Sequence, residues 1–134
     1  MKETRVYMDG VFDLFHVGHV ESIKQMREMG TTIIIGVVSD EDAISYKRKP
    51  IISQKHRCQM IEQCKYVDEI IFPCPLVVTK KFLNDHNIDV VVHSFKDEED
   101  YKKQEEFFKD INLVVTKYNH IETTTDIINR IISS

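Results

Sequence analysis

The feature that most limits how this chain can fold is the run Thr31-Thr32-Ile33-Ile34-Ile35-Gly36-Val37-Val38, which holds no charge and is β-branched almost throughout. A strand with one wet face alternates apolar and polar residues. This one does not, so both of its faces are covered. Covering both faces of a strand takes a layer on each side, the arrangement of a parallel sheet between helices.

The rest of the chain fits that requirement. Strand-like runs recur at residues 5–9, 67–72, 88–93 and 113–116, and helical patterns separate them. Residues 17–29 place Val20, Ile23, Met26 and Met29 at helical spacing, and Gly30 follows as a stop. A second helix follows Ser53, which is placed to cap it, and sets Met60, Ile61 and Cys64 on one face. A shorter helix covers 78–86. The last presents Ile127, Ile128, Ile131 and Ile132 from one face, and Thr123 and Asp126 stand at capping-box spacing before it. The expected fold is therefore α/β: a Rossmann-like parallel five-stranded sheet with helices on both faces, in a single domain over 1–134. The length of 134 residues suits one domain and is short for two. Such sheets take ligands beyond the carboxyl ends of their strands, so the loop after the first strand is the place to look for chemistry.

Charge and composition remove several function classes. The net charge of −4 argues against broad nucleic-acid binding, which needs clustered positive charge, but not against a single nucleotide. No apolar run approaches the roughly 18 residues of a membrane span, and the opening residues do not read as a signal peptide. Cys58, Cys64 and Cys74 are odd in number and lack metal-knuckle spacing; they read as reduced thiols of a cytoplasmic protein. The charged run 96–100 reads either as a solvated loop or as a substrate-facing one, since it too leaves the end of a strand.

The first loop reads Asp9-Gly10-Val11-Phe12-Asp13-Leu14-Phe15-His16-Val17-Gly18-His19. Gly10 permits a close backbone approach or a positive φ directly after the strand. Gly18 removes a side chain between the histidines. His16 and His19, three apart, share a face if the helix starts there. That start also offers backbone N–H groups and the positive end of the helix dipole. Two imidazoles, amides and a dipole aimed at one place describe a phosphate site. A metal site is the competing reading, though no third ligand is evident and no metal ligands are assigned.

The ten residues from Gly10 to His19 resemble the G-x-F-D-x-x-H-x-G-H signature of the cytidylyltransferases, the family of the choline-phosphate, ethanolamine-phosphate and glycerol-phosphate enzymes, within the nucleotidylyltransferases that share an H-x-G-H core. Ser39-Asp40-Glu41, Lys47, the 50–57 stretch and Lys65-Tyr66-Val67-Asp68-Glu69 fall where that family has similar segments. The resemblance implies a nucleotidylyltransferase-type sheet and CMP transfer from CTP to a phosphorylated alcohol, with pyrophosphate released and Mg²⁺ on the phosphates. It implies catalytic roles for His16, His19 and Lys47. Nucleotide binding falls to Gly10, Val11, Phe12, Asp13, Gly18 and Arg57, joined by Thr123, Thr124 and Thr125. His93 is implied to face the acceptor. A homodimer is implied as well, with 65–69 at or near its interface.

Three segments depart from the family pattern; one follows the fourth strand, where the family often reads H-G-D-D or H-D-D and this chain reads His93-Ser94-Phe95-Lys96-Asp97. Before the last helix the family reads R-T-E-G-I-S-T-S; here Tyr118-Asn119-His120-Ile121-Glu122 precede the three threonines, without the arginine or the glycine. After the third strand the family's choline enzymes place a tryptophan where this chain reads Pro73-Cys74-Pro75-Leu76. Leu76 offers no aromatic face to a quaternary ammonium, which favours ethanolamine phosphate or another small phosphoalcohol over choline phosphate. Two further readings stay open: an ATP-dependent adenylyltransferase of the same fold, and a non-catalytic nucleotide-binding domain derived from the family.

Overall fold

In the computed structural model, residues 3–95, 98–108, 111–117 and 123–134 are described. The strands are β1 (Arg5–Gly10), β2 (Thr32–Val37), β3 (Glu69–Ile71), β4 (Val90–Phe95) and β5 (Leu113–Lys117). The helices are α1 (Val17–Met26), α2 (Asp40–Tyr46), α3 (Gln54–Glu62), α4 (Lys80–Asp85), α5 (Glu98–Phe107) and α6 (Thr124–Ser133). Every strand pair is parallel and the order is β3-β2-β1-β4-β5. The chain builds outward from β1 on one side, then returns to lay β4 on the other. The direction of winding thus reverses between β1 and β4, and their carboxyl ends flank a crevice.

The β-branched run behaves as its composition demands. Ile33, Ile35 and Val37 point to one face and pack with Val6, Ile23 and Met26 of α1, and Ile61 of α3. Ile34 points to the other and packs with Tyr7, Val91, Val78 and Phe108, backed by Phe82 and Leu83 of α4. Helices therefore cover both faces. Ile33, Ile34 and Ile35 are fully buried, each worth roughly 1.5–3 kcal/mol relative to exposure.

Several elements differ from the sequence reading. β3 is shorter than 67–72: Asp68, just before it, accepts from Ile33 N–H through Oδ2 at 2.8 Å, so the residue before the strand is anchored to β2 by its side chain. α1 stops at Met26, before Gly30, and α4 begins two residues inside 78–86 because Thr79 caps it. Met60 is exposed while Ile61 on the same helix is buried. α2 was not foreseen, and α5 replaces most of the loop read at 96–100. Glu98 to Asp100 form its first turn, whereas Lys96 and Asp97 lie outside the described residues.

Candidate functional site

β1 runs into the crevice and ends at Gly10. A side chain at Gly10 would sit 3.1 Å from the Phe12 ring, so the expected close approach is present. The expected positive φ is elsewhere: Phe12 (56°) and Leu14 (53°) hold it, and no glycine does. Left-handed geometry costs a non-glycine residue on the order of 1–3 kcal/mol and persists only where neighbours enforce it. Here they do. The Phe12 ring is buried. Asp13, also buried, accepts from Leu14 N–H at 3.1 Å, Ile51 N–H at 2.8 Å and Ile52 N–H at 2.9 Å. One carboxylate thereby fixes the first loop and pins the 50–52 segment against it.

α1 starts with His16 as N-cap, and the two histidines cap the helix reciprocally. Gly18 N–H donates to His16 Nδ1 at 3.1 Å, and His16 N–H donates to His19 Nδ1 at 3.2 Å. A nitrogen that accepts from an amide carries no proton. Both neutral rings therefore carry their proton on Nε2. His16 Nε2 lies 3.3 Å from Thr124 Oγ1, whose hydroxyl donates to the Asp13 carbonyl at 3.0 Å, leaving its oxygen to accept from the imidazole. The rings stand 3.9 Å apart and tilted by 30°. Burial pushes the His19 imidazolium down to about 3; the neighbouring His16 and Lys47 lower it further, and Asp13 opposes them. At neutral pH His19 is an uncharged donor. The sequence reading expected free amides at this helix start, but the Gly18 amide is turned onto His16, and the neutral imidazole rings stand on the cavity wall instead.

These residues line a cavity of about 570 Å³. It gathers Gly10, Val11, Phe12, Asp13, Gly18, Lys47 and the Thr123–Thr125 turn around both histidines. Thr123 caps α6, its Oγ1 accepting from Asp126 N–H at 3.0 Å, and delivers that helix's N-terminus to the same place. Arg48 also lines the cavity and was passed over in the sequence; its position between Lys47 and Lys49 gave only a surface charge run. Two histidines, two cations and a helix start suit an anion with several oxygens. Among the described residues no three His, Cys, Asp or Glu side chains are placed to hold a metal ion.

Arg57 is not at the cavity. It is 1% exposed, and its guanidinium donates to the carbonyls of Ile52 (3.0 Å), Val11 (2.7 Å) and Val38 (2.9 Å) and to Asp40 Oδ1 (2.6 Å). The nucleotide contact expected of it is corrected to a clamp that ties the first loop, the end of β2, the start of α2 and the segment before α3.

His93, on β4, faces a second cavity of about 630 Å³. Asp9, Gly10 and Lys47 line both cavities and form the wall between them. His93 Nε2 lies 3.6 Å from Asp9 Oδ1, and its ring packs 5.2 Å from that of Phe108. Asp9 was not singled out from the sequence. The altered 118–122 segment lies outside the described residues.

The family model for cytidylyltransferase-like proteins matches residues 7–134. A choline-phosphate cytidylyltransferase of Saccharomyces cerevisiae is 36% identical over 136 residues, covering 96% of this chain and 31% of the yeast protein. A probable ethanolamine-phosphate cytidylyltransferase of Encephalitozoon cuniculi is 40% identical over 133 residues, covering 96% of this chain and 40% of that one. An Arabidopsis thaliana ethanolamine-phosphate cytidylyltransferase is 40% identical over 96 residues, 69% of this chain and 23% of the relative. The chain thus spans well under half the length of these relatives. Among solved structures, a lipopolysaccharide core biosynthesis protein of Thermoplasma volcanium superposes with a TM-score of 0.72 at 23% identity, over 87% of this chain and 99% of that one. That likeness speaks to the fold alone.

Proposed function

The chain belongs to the cytidylyltransferase-like family, and from that premise we propose that it transfers CMP from CTP to a small phosphorylated alcohol, with release of pyrophosphate. The acceptor is of the ethanolamine phosphate, choline phosphate or glycerol phosphate class. The observation that carries this reading is the reciprocal histidine cap, which sets two neutral rings side by side on the wall of one cavity. An oxygen of the acceptor phosphate attacks the α-phosphorus of CTP. The new P–O bond forms as the bond to the β-phosphate oxygen breaks, and pyrophosphate leaves with that electron pair. The attacking oxygen is already anionic, so no enzyme nucleophile is required. Negative charge on the α-phosphate oxygens is met by His16, His19 and Lys47. Lys47 stands on the wall between the cavities, suited to screen two phosphates as they approach. Gly10 to Asp13, Gly18 and the Thr123–Thr125 turn form the nucleotide cradle. His93 lies on the acceptor side. Mg²⁺ accompanying the triphosphate would offset part of its negative charge.

Residues 1–134 act in this reading as one catalytic unit on a nucleotidylyltransferase-type Rossmann-like sheet. The unpaired Cys58, Cys64 and Cys74 fit a reducing compartment, and we assign the cytoplasm. No helix among the described residues is long and apolar enough to cross a membrane. A homodimer joined at or near 65–69 completes the proposal; light scattering giving a monomer at micromolar concentration would remove it.

The test is incubation with CTP, Mg²⁺ and a panel of alcohol phosphates, following pyrophosphate. Release with one acceptor and not without it is expected. Silence across the panel sinks the transferase reading and leaves a binding domain. A titration in which ATP displaces CTP moves the assignment to adenylyl transfer.

A further inference from the structure

Positive charge is scarce on the wall of the first cavity. The reciprocal cap leaves His16 and His19 as neutral rings, so they donate without offsetting charge. Among the described residues lining this cavity the permanent cations are Lys47 and Arg48. Lys47 also lines the second cavity, whereas Arg48 does not. Arg48 is therefore the one cation, among the described residues, that belongs to the nucleotide chamber alone. Residues 118–122, before the last helix, contain neither arginine nor lysine.

The segment that carries Arg48 is fixed at both ends. Before it, Lys47 N–H donates to the Ala43 carbonyl at 2.9 Å and closes α2. After it, Pro50 is buried against the cavity, and Asp13 accepts from the next two amides, Ile51 at 2.8 Å and Ile52 at 2.9 Å. Arg48 and Lys49 bridge the short gap between these anchors. Arg48 is exposed, and among the described residues no carboxylate stands within ion-pair distance of it. A guanidinium presents a planar fork of N–H donors that meets two phosphate oxygens at once. In the proposed reaction the attacking and leaving oxygens are in line. Attack from the second cavity therefore drives the departing phosphates away from it, into the chamber that Arg48 lines.

We propose that Arg48 is a further catalytic residue, which grips the β- and γ-phosphates of the nucleotide and stabilises pyrophosphate as it leaves. The bond from the α-phosphorus to the bridging oxygen breaks, its electron pair stays on pyrophosphate, and Arg48 offsets the charge that develops there without giving up a proton. The chemical step rests on the transferase reading above, whereas the binding step is measured without it. CTP, CDP and CMP are titrated calorimetrically into the native chain, Arg48→Ala and Arg48→Lys, and kcat and both KM values are measured alongside. Arg48 is exposed, so the variants should keep the native urea midpoint. Arg48→Ala should weaken CTP by roughly ten- to a hundredfold, as for a lost charged hydrogen bond, and leave CMP within about twofold. It should also lower kcat, weaken inhibition by inorganic pyrophosphate and leave the acceptor KM in place. Arg48→Lys should restore part of the loss, since it keeps the charge and loses the fork. Equal losses for CMP and CTP overturn the proposal, because Arg48 would then act on the part of the nucleotide that is not released. A raised acceptor KM with CTP binding intact overturns it too, as does an alanine variant that matches the native chain. If the native chain binds CTP and releases no pyrophosphate, the transferase reading falls, and the titrations still decide whether Arg48 holds the outer phosphates. If it binds neither CTP nor ATP, both readings fall.

Discussion

The loop at 10–19 and helix α6 both end at the same cavity, but they are held there differently. The loop is cross-linked on every side: Asp13 accepts from three amides, Arg57 grips the Val11 carbonyl, and the histidines cap each other. The contacts that join the start of α6 to the loop run through Thr124, which reaches His16 and the Asp13 carbonyl. Towards the far end of α6, Ile131 is 64% and Ile132 76% exposed. Preorganisation is therefore concentrated on one side of the site. The loop holds its donors in place whether or not a ligand is present, while the helix contributes its threonines through a few polar contacts.

If that contrast is right, changes in the loop cost much and changes along α6 cost progressively less. Arg57→Leu should be the most damaging. It leaves three carbonyls and Asp40 without their donor, a loss of about 3–5 kcal/mol read by urea unfolding. A variant of unchanged stability that binds CTP poorly would return Arg57 to the nucleotide. His19→Ala comes next, with kcat for pyrophosphate release down by about 10²–10³ and the fold kept. Full activity would remove the assigned donor.

The third prediction concerns pH. Unfolded His19 titrates near 6.5 and folded His19 near 3. As acid is added the unfolded chain takes up a proton that the native site refuses. This contribution to stability is whole above the unfolded value and declines as pH falls from 6.5 towards 3. Unfolding midpoints at about pH 7.5 and about pH 5 should diverge more in the native chain than in His19→Ala. Equal divergence would mean that the ring is not shielded as described.

Thr124→Val removes one link between helix and loop and should weaken CTP binding by roughly tenfold, as for one hydrogen bond. At the bottom of the scale, Ile132→Ser should shift stability within about 0.5 kcal/mol. A large loss there would show that the open end of α6 is as firmly built in as the loop, and the contrast would collapse.

How much of this was legible depends on what each residue's role requires. The β-branched run at β2 needs only its own composition to declare two covered faces. The histidine turn needs only local spacing to be noticed, whereas the threonine turn at 123–125 was tied to the site through the family resemblance. Arg57 was misjudged because its role depends on three carbonyls brought from distant segments. The available clue was its spacing of four from buried Ile61, which puts both on the inward face of α3. α2 and α5 were missed because they are polar; α2 buries Ala43 alone. Asp9 reads as the last polar residue of a strand until β4 sets His93 across from it. The tautomer of each histidine was out of reach too, because it rests on where two backbone N–H groups point.

The partition formed by Asp9, Gly10 and Lys47 has a kinetic consequence. Under the proposed reaction the cytidine diphosphate ester made by joining both substrates straddles that partition and fills both chambers at once. It should therefore inhibit competitively against either reactant, and an uncleavable mimic spanning both chambers should bind more tightly than either fragment, because the second half docks without a second loss of translational freedom.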